Sequence, residues 1–323
     1  MSERFQVLDG WRGISISFVL AGHLLPLGPK IWQMNGAIAT TGMALFFILS
    51  GFLIANILIK NQDVISFLVR RIMRIFPLAW LVIGITFIFK GATTHQWFSN
   101  LFFYANWPPM GIVEITSHFW SLCVEVQFYL FIAILVSLIK KRAFYLIPIL
   151  CLFITLFRIY HNIEIAINTY YRIDEILAGC ILAQIYHSRH RNLRKIIGFW
   201  NPLLLLALLL LSAHPKFGMI RFFRPYFAML LVGSTLFTNK KGKFEVLLKS
   251  SPLYYIASIS YALYIFHGVL ADTWFGEGDR LIKYLKRPLL FGVTFILAHF
   301  STKYFEKYWQ DIGKRITVAR SEL

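Results

Sequence analysis

Arg12 and His23 are the two residues whose side chains and separation most directly suggest chemistry. Arg12 immediately precedes the first apolar run of the chain, and His23 lies within that run. Eleven positions separate them, so an α-helix would place them about 16 Å apart along its axis and about 20° apart around it. Imidazole is the usual general base near neutral pH, and a buried histidine facing a polar cavity suits acyl or proton transfer. The pattern predicts a base near the bilayer midplane, with Arg12 on the same face near the cytoplasmic boundary. The alternative is a histidine that only makes a hydrogen bond between helices.

Glu125 is the one acidic residue that lies well inside a long apolar run. A carboxylate at that depth requires a partner, a proton or a water-filled cavity, which makes it a functional candidate. Helix rise places Glu125 and His23 at overlapping depths, so the carboxylate could orient the imidazole. It could instead bind a substrate, or join two helices and serve folding alone.

Arg71 and Arg74 form a third group of interest at the start of another apolar run. Their i,i+3 spacing puts both guanidinium groups on one helical face, a geometry suited to phosphate groups. The alternative is that both arginines are positive-inside anchors of a membrane helix.

Composition indicates the kind of scaffold that positions these residues. Of 323 residues, 58% are hydrophobic and 15% are charged, with a formal net charge of +18. A charged fraction so far below the soluble average of about 25% excludes a disordered chain and argues against an ordinary soluble domain. In so apolar a chain the basic excess indicates loops that face anionic lipid headgroups, and no nucleic-acid partner is expected. We therefore predict an all-α, polytopic membrane helix bundle.

Ten apolar runs are long enough, or nearly so, to cross roughly 30 Å of hydrocarbon. An even number places both termini on one side, and 22 of the 33 Lys and Arg residues fall on that side. The positive-inside rule then predicts that both termini are cytoplasmic. We expect residues 1–323 to form a single membrane bundle that begins with a retained span. The predicted runs are 13–29, 36–59, 75–90, 118–139, 143–160, 173–187, 196–213, 221–238, 252–271 and 288–305.

Some segments depart from this simple pattern. The run 173–187 is short and opens with Asp174 and Glu175, which makes it the weakest of the ten. The segment 97–107 is apolar but too short to cross, so we expect it to lie at the interface or re-enter. The three cysteines all lie in apolar runs, and neither a disulfide framework nor a metal site is expected. The 22 Lys and Arg residues on the predicted cytoplasmic side include Arg4, Lys240 and Lys241. Four of the Lys and Arg residues on the opposite side cluster in the last external loop: Arg280, Lys283, Lys286 and Arg287.

Several motifs occur in register along the chain and together resemble the acyltransferase 3 family of integral-membrane O-acyltransferases. The opening resembles the family's LDGLRG…H pattern, including its Arg-x10-His spacing at Arg12 and His23, and Arg71 and Arg74 match its Arg-x-x-Arg motif. This chain has Val126 where the family usually has a second glutamate, and Tyr308 where a proline is frequent. The matching segments are LDGWRGISISFVLAGH (8–23), FFILSGFLI (46–54), RRIMRIFPLAW (70–80), FWSLCVEVQFYLF (119–131), RIDEILAGCILA (172–183), SISYALYIFH (258–267) and YFEKYW (304–309).

The resemblance implies a membrane-embedded enzyme that moves an acyl group, expected to be acetyl, from cytoplasmic acyl-CoA to a hydroxyl of a bacterial glycan. The expected acceptor is a lipid-linked or surface polysaccharide of the O-antigen or exopolysaccharide class, and the expected location is the bacterial inner membrane. Acetyl-CoA is a co-substrate here, no permanently bound cofactor is expected, and membrane lipids are the other partners. We expect no extracellular SGNH-hydrolase domain; the sequence predicts no particular oligomeric state.

The resemblance also suggests roles for individual residues. Arg71 and Arg74 would hold the phosphates of CoA, and His23 would deprotonate the sugar hydroxyl or carry the acyl group transiently. Arg12 and Glu125 would complete the catalytic group. Four further residues are candidates for the acceptor site or its support: Tyr129, Ser260, Tyr261 and His267.

Two other classes of protein stay open at this point. A proton-coupled transporter of a sugar or lipid would also use histidine and glutamate within the membrane, although the sequence lacks the inverted repeats typical of transporters. A non-catalytic membrane subunit of a glycan-assembly enzyme is the third possibility.

Overall fold

The computed structural model describes residues 5–238 and 242–321. Within these ranges the secondary structure is entirely helical, without a β-strand, as the composition predicts. Arg4, Lys240 and Lys241 of the charge tally lie outside the described residues. The α-helices are α1 (Gln6–Leu24), α2 (Met34–Lys60), α3 (Val64–Lys90), α4 (Thr94–Leu101), α5 (Trp120–Ile139), α6 (Ala143–Tyr160), α7 (Thr169–Arg172), α8 (Asp174–His187), α9 (Arg191–Phe199), α10 (Pro202–Ala213), α11 (Arg224–Phe237), α12 (Lys243–Leu248), α13 (Ser251–Ser258), α14 (Ser260–Ala271), α15 (Arg280–Phe300) and α16 (Lys307–Ser321).

Each of the ten predicted runs overlaps one of these helices or a bent pair of them. Among residues 5–238 and 242–321, three helical segments have both the length and the low polarity needed to cross a bilayer, namely Met34–Lys60, Val64–Lys90 and Glu114–Tyr160. The number rises to five if each bent pair counts as one span, since α9 and α10 meet at 78° and α13 and α14 at 66°. Ten spans and cytoplasmic termini therefore stay predictions. The apolar segment 97–107 contains only the end of the eight-residue α4, which is too short to cross.

The bounds of several helices differ from the predicted runs, and for two of these helices, α1 and α3, the difference moves candidate site residues. Helix α1 ends at Leu24 rather than 29, because Pro26 lies two residues beyond and cannot continue the helical hydrogen bonding. His23 consequently lies in the last turn of α1, and not in the middle of a helix as the run 13–29 implied. Helix α3 begins eleven residues before the run 75–90, so Arg71 and Arg74 lie inside it.

The early start of α3 has a local cause in its N-cap residue. The Asp63 carboxylate accepts a hydrogen bond from the Ser66 backbone N–H at 3.1 Å, which satisfies one of the first free N–H groups of the helix. Hydrogen bonds from Ser66, the side chain first and the backbone second, hold the pKa of Asp63 below its usual value. This cap allows α3 to begin at Val64, before its three arginines.

The chain divides into two compact units. Helices α1 and α8–α13 belong wholly to the first unit, as does α2 except for its last residue, and α3–α5, α7, α15 and α16 belong to the second. The first unit comprises Met1–Ile59, Phe144–Ala166 and Ile173–Ser260, and the second comprises Lys60–Ala143, Ile167–Arg172 and Tyr261–Leu323.

In the first unit, α1 packs closely against the short helix α12, because small residues let the two helix backbones approach each other. A Cβ atom at Gly10 would lie 2.0 Å from the Leu248 carbonyl oxygen, so no larger residue fits there without a shift. The adjacent Trp11 is fully buried, and its indole N–H donates to Thr235 Oγ1 at 2.8 Å. These contacts fix both the rotation and the axial position of the helix that carries Arg12 and His23.

In the second unit, a side-chain amide joins the segment after α4 to helix α5. The Gln127 amide nitrogen donates to the Phe103 carbonyl at 2.7 Å and to Asn106 Oδ1 at 2.9 Å. The Trp107 indole N–H donates back to Gln127 Oε1 at 2.7 Å. The apolar segment that is too short to cross is thus attached to the helix that carries Glu125.

Two buried ion pairs stabilise the first unit. Asp174 pairs with Arg158, and Arg224 Nε donates to Glu175 Oε1 at 2.6 Å. None of these four side chains is more than 1% exposed. The two acids that made the run 173–187 look weak are therefore neutralised by arginines, and a helix forms there from Asp174 to His187.

We predict that replacing one residue of such a pair destabilises the protein more than replacing both. Arg224→Met leaves Glu175 buried without its counter-charge, which should destabilise the protein by about 3–5 kcal/mol. The double variant Arg224→Met/Glu175→Met should recover most of that loss, since Nη1 and Nη2 of Arg224 lack a hydrogen-bond partner in the described part of the chain. The measurement is the melting temperature of each variant in detergent.

Arg191→Met serves as the control, because Arg191 is an exposed arginine of the same unit. Equal melting temperatures for the single variant, the double variant and this control would show that the pair contributes nothing to stability.

Candidate functional site

The second unit brings six ionisable side chains into electrostatic contact, on helices α3, α5 and α14 and on the π-helical stretch Ser301–Glu306 that follows α15. We call this group the arginine–glutamate cluster. It includes both predicted donor-binding arginines and three other predicted site residues, which lie far apart in sequence. Its members are Arg71, Arg74, Glu125, Tyr129, Tyr261 and Glu306.

Arg71 lies against two aromatic rings, those of Phe67 and Tyr129. The carbon of its guanidinium group is 5.8 Å from the ring centroid of Phe67 and 5.8 Å from that of Tyr129. The two rings themselves meet edge to face at 5.9 Å. Tyr129 also shares hydrogen bonds with Arg71 and with Glu125, whose charge attracts Arg71. Stacking and a nearby carboxylate thus hold a half-buried arginine in one orientation.

Arg74 has a different acidic neighbour. It is attracted to Glu306, which is buried and accepts a hydrogen bond from the Thr302 hydroxyl at 2.8 Å. Tyr261 interacts electrostatically with both residues, and its hydroxyl donates to the Ile75 carbonyl at 2.5 Å. Glu306 was not among the predicted site residues. The signal available in the sequence was its place in the closing YFEKYW motif, and the structure adds that a π-helical stretch, frequent at functional sites, positions it.

The chemistry of the cluster follows from its charge balance. Two guanidinium groups interact electrostatically with two carboxyl groups, so the arginines have counter-charges before any ligand arrives. Planar guanidinium groups in a fixed orientation suit bidentate binding of phosphate oxygens. Arg71 and Arg74 occupy one face of α3, as their spacing predicts.

In the first unit, helix α1 carries Arg12 and His23 without interruption. Arg12 Nη1 lies 3.8 Å from Asp9 Oδ1, an ion pair between successive turns that the sequence analysis did not anticipate. Asp9 also lines an open cleft of about 230 Å³ at the N-terminal end of α1. The His23 side chain is exposed on the surface of this unit.

The end of α1 that carries His23 is held by Asn35 of α2. The Asn35 amide nitrogen donates to the carbonyls of Gly22 at 2.8 Å and Leu25 at 2.6 Å. Its Oδ1 accepts from the Leu27 N–H at 3.3 Å. One side chain therefore satisfies the last carbonyls of the helix and fixes the turn next to His23. No local pattern in the sequence pointed to Asn35.

The remaining candidates have local or unexpected partners. Ser260 belongs to the first unit, and its hydroxyl donates to the Ala257 carbonyl at 2.8 Å, where α13 bends into α14. His267 is fully buried in the second unit, with its ring 4.9 Å from that of His118. The Tyr264 hydroxyl contacts the His118 carbonyl and Ser121 Oγ. His118, the first residue of the run 118–139, was not predicted to be near His267.

Comparison with known proteins gives a consistent assignment. A family model described as an acyltransferase domain matches residues 5–302. The chain is similar to O-acetyltransferase OatA of Staphylococcus aureus, at 24% identity over 93% of this chain and 56% of OatA. It is similar to the putative peptidoglycan O-acetyltransferase YrhL of Bacillus subtilis, at 27% identity over 95% of this chain and 55% of YrhL. It is also similar to peptidoglycan O-acetyltransferase OatA of Listeria monocytogenes, at 25% identity over 93% of this chain and 54% of that protein.

The chain thus spans about half the length of the curated relatives it matches. No solved structure matches it.

We predict that Asn35→Ala loosens the end of α1 without unfolding the first unit. Two donated hydrogen bonds and one accepted bond are lost, each worth about 1 kcal/mol. Amide hydrogen exchange of residues 22–27 should therefore accelerate, while the amides of Trp11 and its neighbours stay protected. Asn61→Ala is the control, because Asn61 accepts a local bond from the Asp63 N–H at 3.0 Å, at the far end of α2. Unchanged exchange in residues 22–27 would rule out the anchoring role of Asn35.

Proposed function

The chain belongs to the acyltransferase 3 family, and on that premise we propose that it transfers an acetyl group from cytoplasmic acetyl-CoA to a hydroxyl of a bacterial surface glycan. The observation that carries this proposal is the family match over residues 5–302, which includes every candidate site residue of the sequence analysis. The names of the relatives, all O-acetyltransferases, support acetyl as the transferred group.

The acceptor requires a choice between two kinds of glycan. The sequence analysis expected a lipid-linked or surface polysaccharide of the O-antigen or exopolysaccharide class. Two relatives carry peptidoglycan in their names, which makes peptidoglycan the first acceptor to test beside those polysaccharides. The chemical requirement is the same in both cases, namely a sugar hydroxyl that can be deprotonated as it attacks a thioester.

In the proposed reaction, His23 takes the proton of the sugar hydroxyl while the oxygen attacks the thioester carbonyl carbon. The new carbon–oxygen bond forms as the carbon–sulfur bond breaks, and the CoA sulfur leaves with the proton that His23 returns. In the alternative route, His23 attacks first and carries the acetyl group before the sugar receives it. Asn35 positions His23 in both routes, and Arg12 supports the same face of α1.

The donor would be held by Arg71 and Arg74 through the phosphates of CoA. The arginine–glutamate cluster supports this role, because Tyr129 and Glu125 orient Arg71 while Glu306 faces Arg74. Glu125 is proposed to act by its charge, either on this cluster or on the group that His23 deprotonates. Tyr261 and His267, with Ser260, are proposed to support the acceptor site.

The proposed setting is the bacterial inner membrane, crossed by ten spans with cytoplasmic termini. A thioester made in the cytoplasm would then reach a glycan built for the outside through a polar path in the bundle. The apolar helices and the acyltransferase family support a membrane location.

We predict that His23→Ala abolishes acetyl transfer while expression and membrane insertion persist. Loss of a general base typically lowers the rate by about 10²–10⁴-fold. The assay follows radiolabelled acetyl-CoA into peptidoglycan fragments and into lipid-linked polysaccharide in parallel, with purified protein in detergent. His190→Gln, an exposed histidine of the same unit, should keep full activity. A well-expressed His23→Ala protein that still acetylates its acceptor would remove His23 from the mechanism, and no labelled glycan from the wild type would refute the proposed function.

We predict that Arg71→Ala and Arg74→Ala each weaken acetyl-CoA binding more than acceptor binding. A charge-assisted hydrogen bond contributes about 1.5–3 kcal/mol, so the Kd for acetyl-CoA should rise by about 10-fold or more. Isothermal calorimetry measures this directly. Arg70→Ala is the matched control, since the Arg70 Nε donates to Thr317 Oγ1 at 3.1 Å and lies outside the cluster. Lower activity at unchanged CoA affinity would show that the arginine pair is structural.

We predict that Glu125→Gln retains the melting temperature of the wild type but loses most activity. Glutamine keeps the size and most of the hydrogen bonding of the side chain and removes only the charge that attracts Arg71. Steady-state transfer rates and thermal melting, measured on one preparation, separate the two effects. Glu114→Gln, at an exposed glutamate, should change neither. Full activity of Glu125→Gln would leave Glu125 with a packing role alone.

A further inference from the structure

Acyl transfer does not explain the basic residues of the last predicted external loop. Arg280, Lys283, Lys286 and Arg287 all lie in the first two turns of α15. At about 100° per residue they fall within an arc of about 120° on one side of the helix. We call these four residues the basic stripe.

The opposite side of the same turns is apolar and exposed. Leu281 is 69% exposed, Leu285 is 71% exposed and Leu289, one turn later, is 54% exposed. A helix with basic residues on one side and exposed leucines on the other is typical of a segment that lies at the boundary between headgroups and acyl chains. A nucleic-acid partner would match the charges but would leave the adjacent leucines in water.

Trp274 adds an interfacial side chain beside the basic stripe. The Lys286 ammonium lies 4.0 Å from the centroid of the Trp274 ring. It also donates to the carbonyls of Trp274 at 2.8 Å and Glu277 at 3.1 Å. Tryptophan, with an amphipathic ring, is enriched at the level of lipid headgroups, and this ring is 56% exposed.

The charge of the stripe exceeds what neighbouring acids neutralise. The Asp279 carboxylate is engaged at the start of the helix, where it accepts from the Ile282 N–H at 2.8 Å. Nε and Nη1 of Arg287 are buried and have no hydrogen-bond partner among residues 5–238 and 242–321. No protein oxygen within these residues accepts from those two nitrogens, so the charge of Arg287, beside two lysines, favours an anionic ligand at the stripe.

We propose that the basic stripe is a docking site for the phosphate headgroup of an anionic membrane lipid. The phosphate oxygens lie against Lys283 and Arg287, and the acyl chains lie against Leu281 and Leu285. Trp274 marks the depth of the headgroup layer. This binding is independent of acetyl transfer and is measured equally well on the inactive His23→Ala protein.

The test uses Trp274 as a local reporter of the lipid beside it. Full-length protein is reconstituted in bilayers of phosphatidylcholine and phosphatidylglycerol in which only one of the two lipids carries bromine, a quencher of tryptophan. The Trp274 signal is the difference between the wild type and Trp274→Phe. Each basic residue near a charged surface favours an anionic lipid by roughly fivefold. Brominated phosphatidylglycerol should therefore quench Trp274 several-fold more than brominated phosphatidylcholine.

The preference should fall to near equality in Lys283→Gln/Arg287→Gln, which leaves the Lys286–Trp274 contact in place. It should persist in Lys283→Arg/Arg287→Lys, which keeps both charges. If the double glutamine variant does not fold, Lys283→Gln alone should reduce the preference by roughly fivefold. Equal quenching by the two lipids in the wild type, or an unchanged preference in the glutamine variants, would overturn the proposal. Loss of the preference on adding inorganic phosphate to the wild type would overturn the choice of a lipid in favour of a free anion.

Discussion

The constraint on which this structure depends is that an ionised side chain inside an apolar helix bundle needs a counter-charge. The first unit meets it with Asp174–Arg158 and Glu175–Arg224, two pairs that are closed to solvent. The first pair joins α6 to α8 and the second joins α8 to α11, so the charges favour one packing and rotation of these helices. Close approach at Gly10 and the bond from Trp11 then fix α1 within that arrangement.

The second unit meets the same constraint with arginines that are less deeply buried. Arg71 is half-buried and is held by stacking on Phe67 and Tyr129, with Glu125 attracting it from nearby. An arginine oriented in this manner can accept an anionic ligand without a large rearrangement, whereas the fully buried Arg158 and Arg224 cannot. This difference separates the structural ion pairs of the first unit from the candidate donor site of the second.

The position of His23 has a comparable physical basis. Because Pro26 ends α1 early, the imidazole lies in a last turn, where the backbone carbonyls need external donors. Asn35 supplies two of them and so converts a helix end, which is usually the most mobile part of a helix, into a fixed support. A base at a helix end is nearer to the segment that follows it than a base in mid-helix would be.

The sequence by itself determined the features that depend on local pattern: the all-helical class, the apolar runs, and the placement of Arg12 with His23 and of Arg71 with Arg74 on single helix faces. Their family motifs were equally readable, because a motif is a local string. Only the tertiary structure decided that Arg74 interacts electrostatically with Glu306, that His118 contacts His267 and that Asn35 holds the end of α1. The physical reason is that periodicity defines the faces of one helix, whereas the packing of distant helices decides which faces meet.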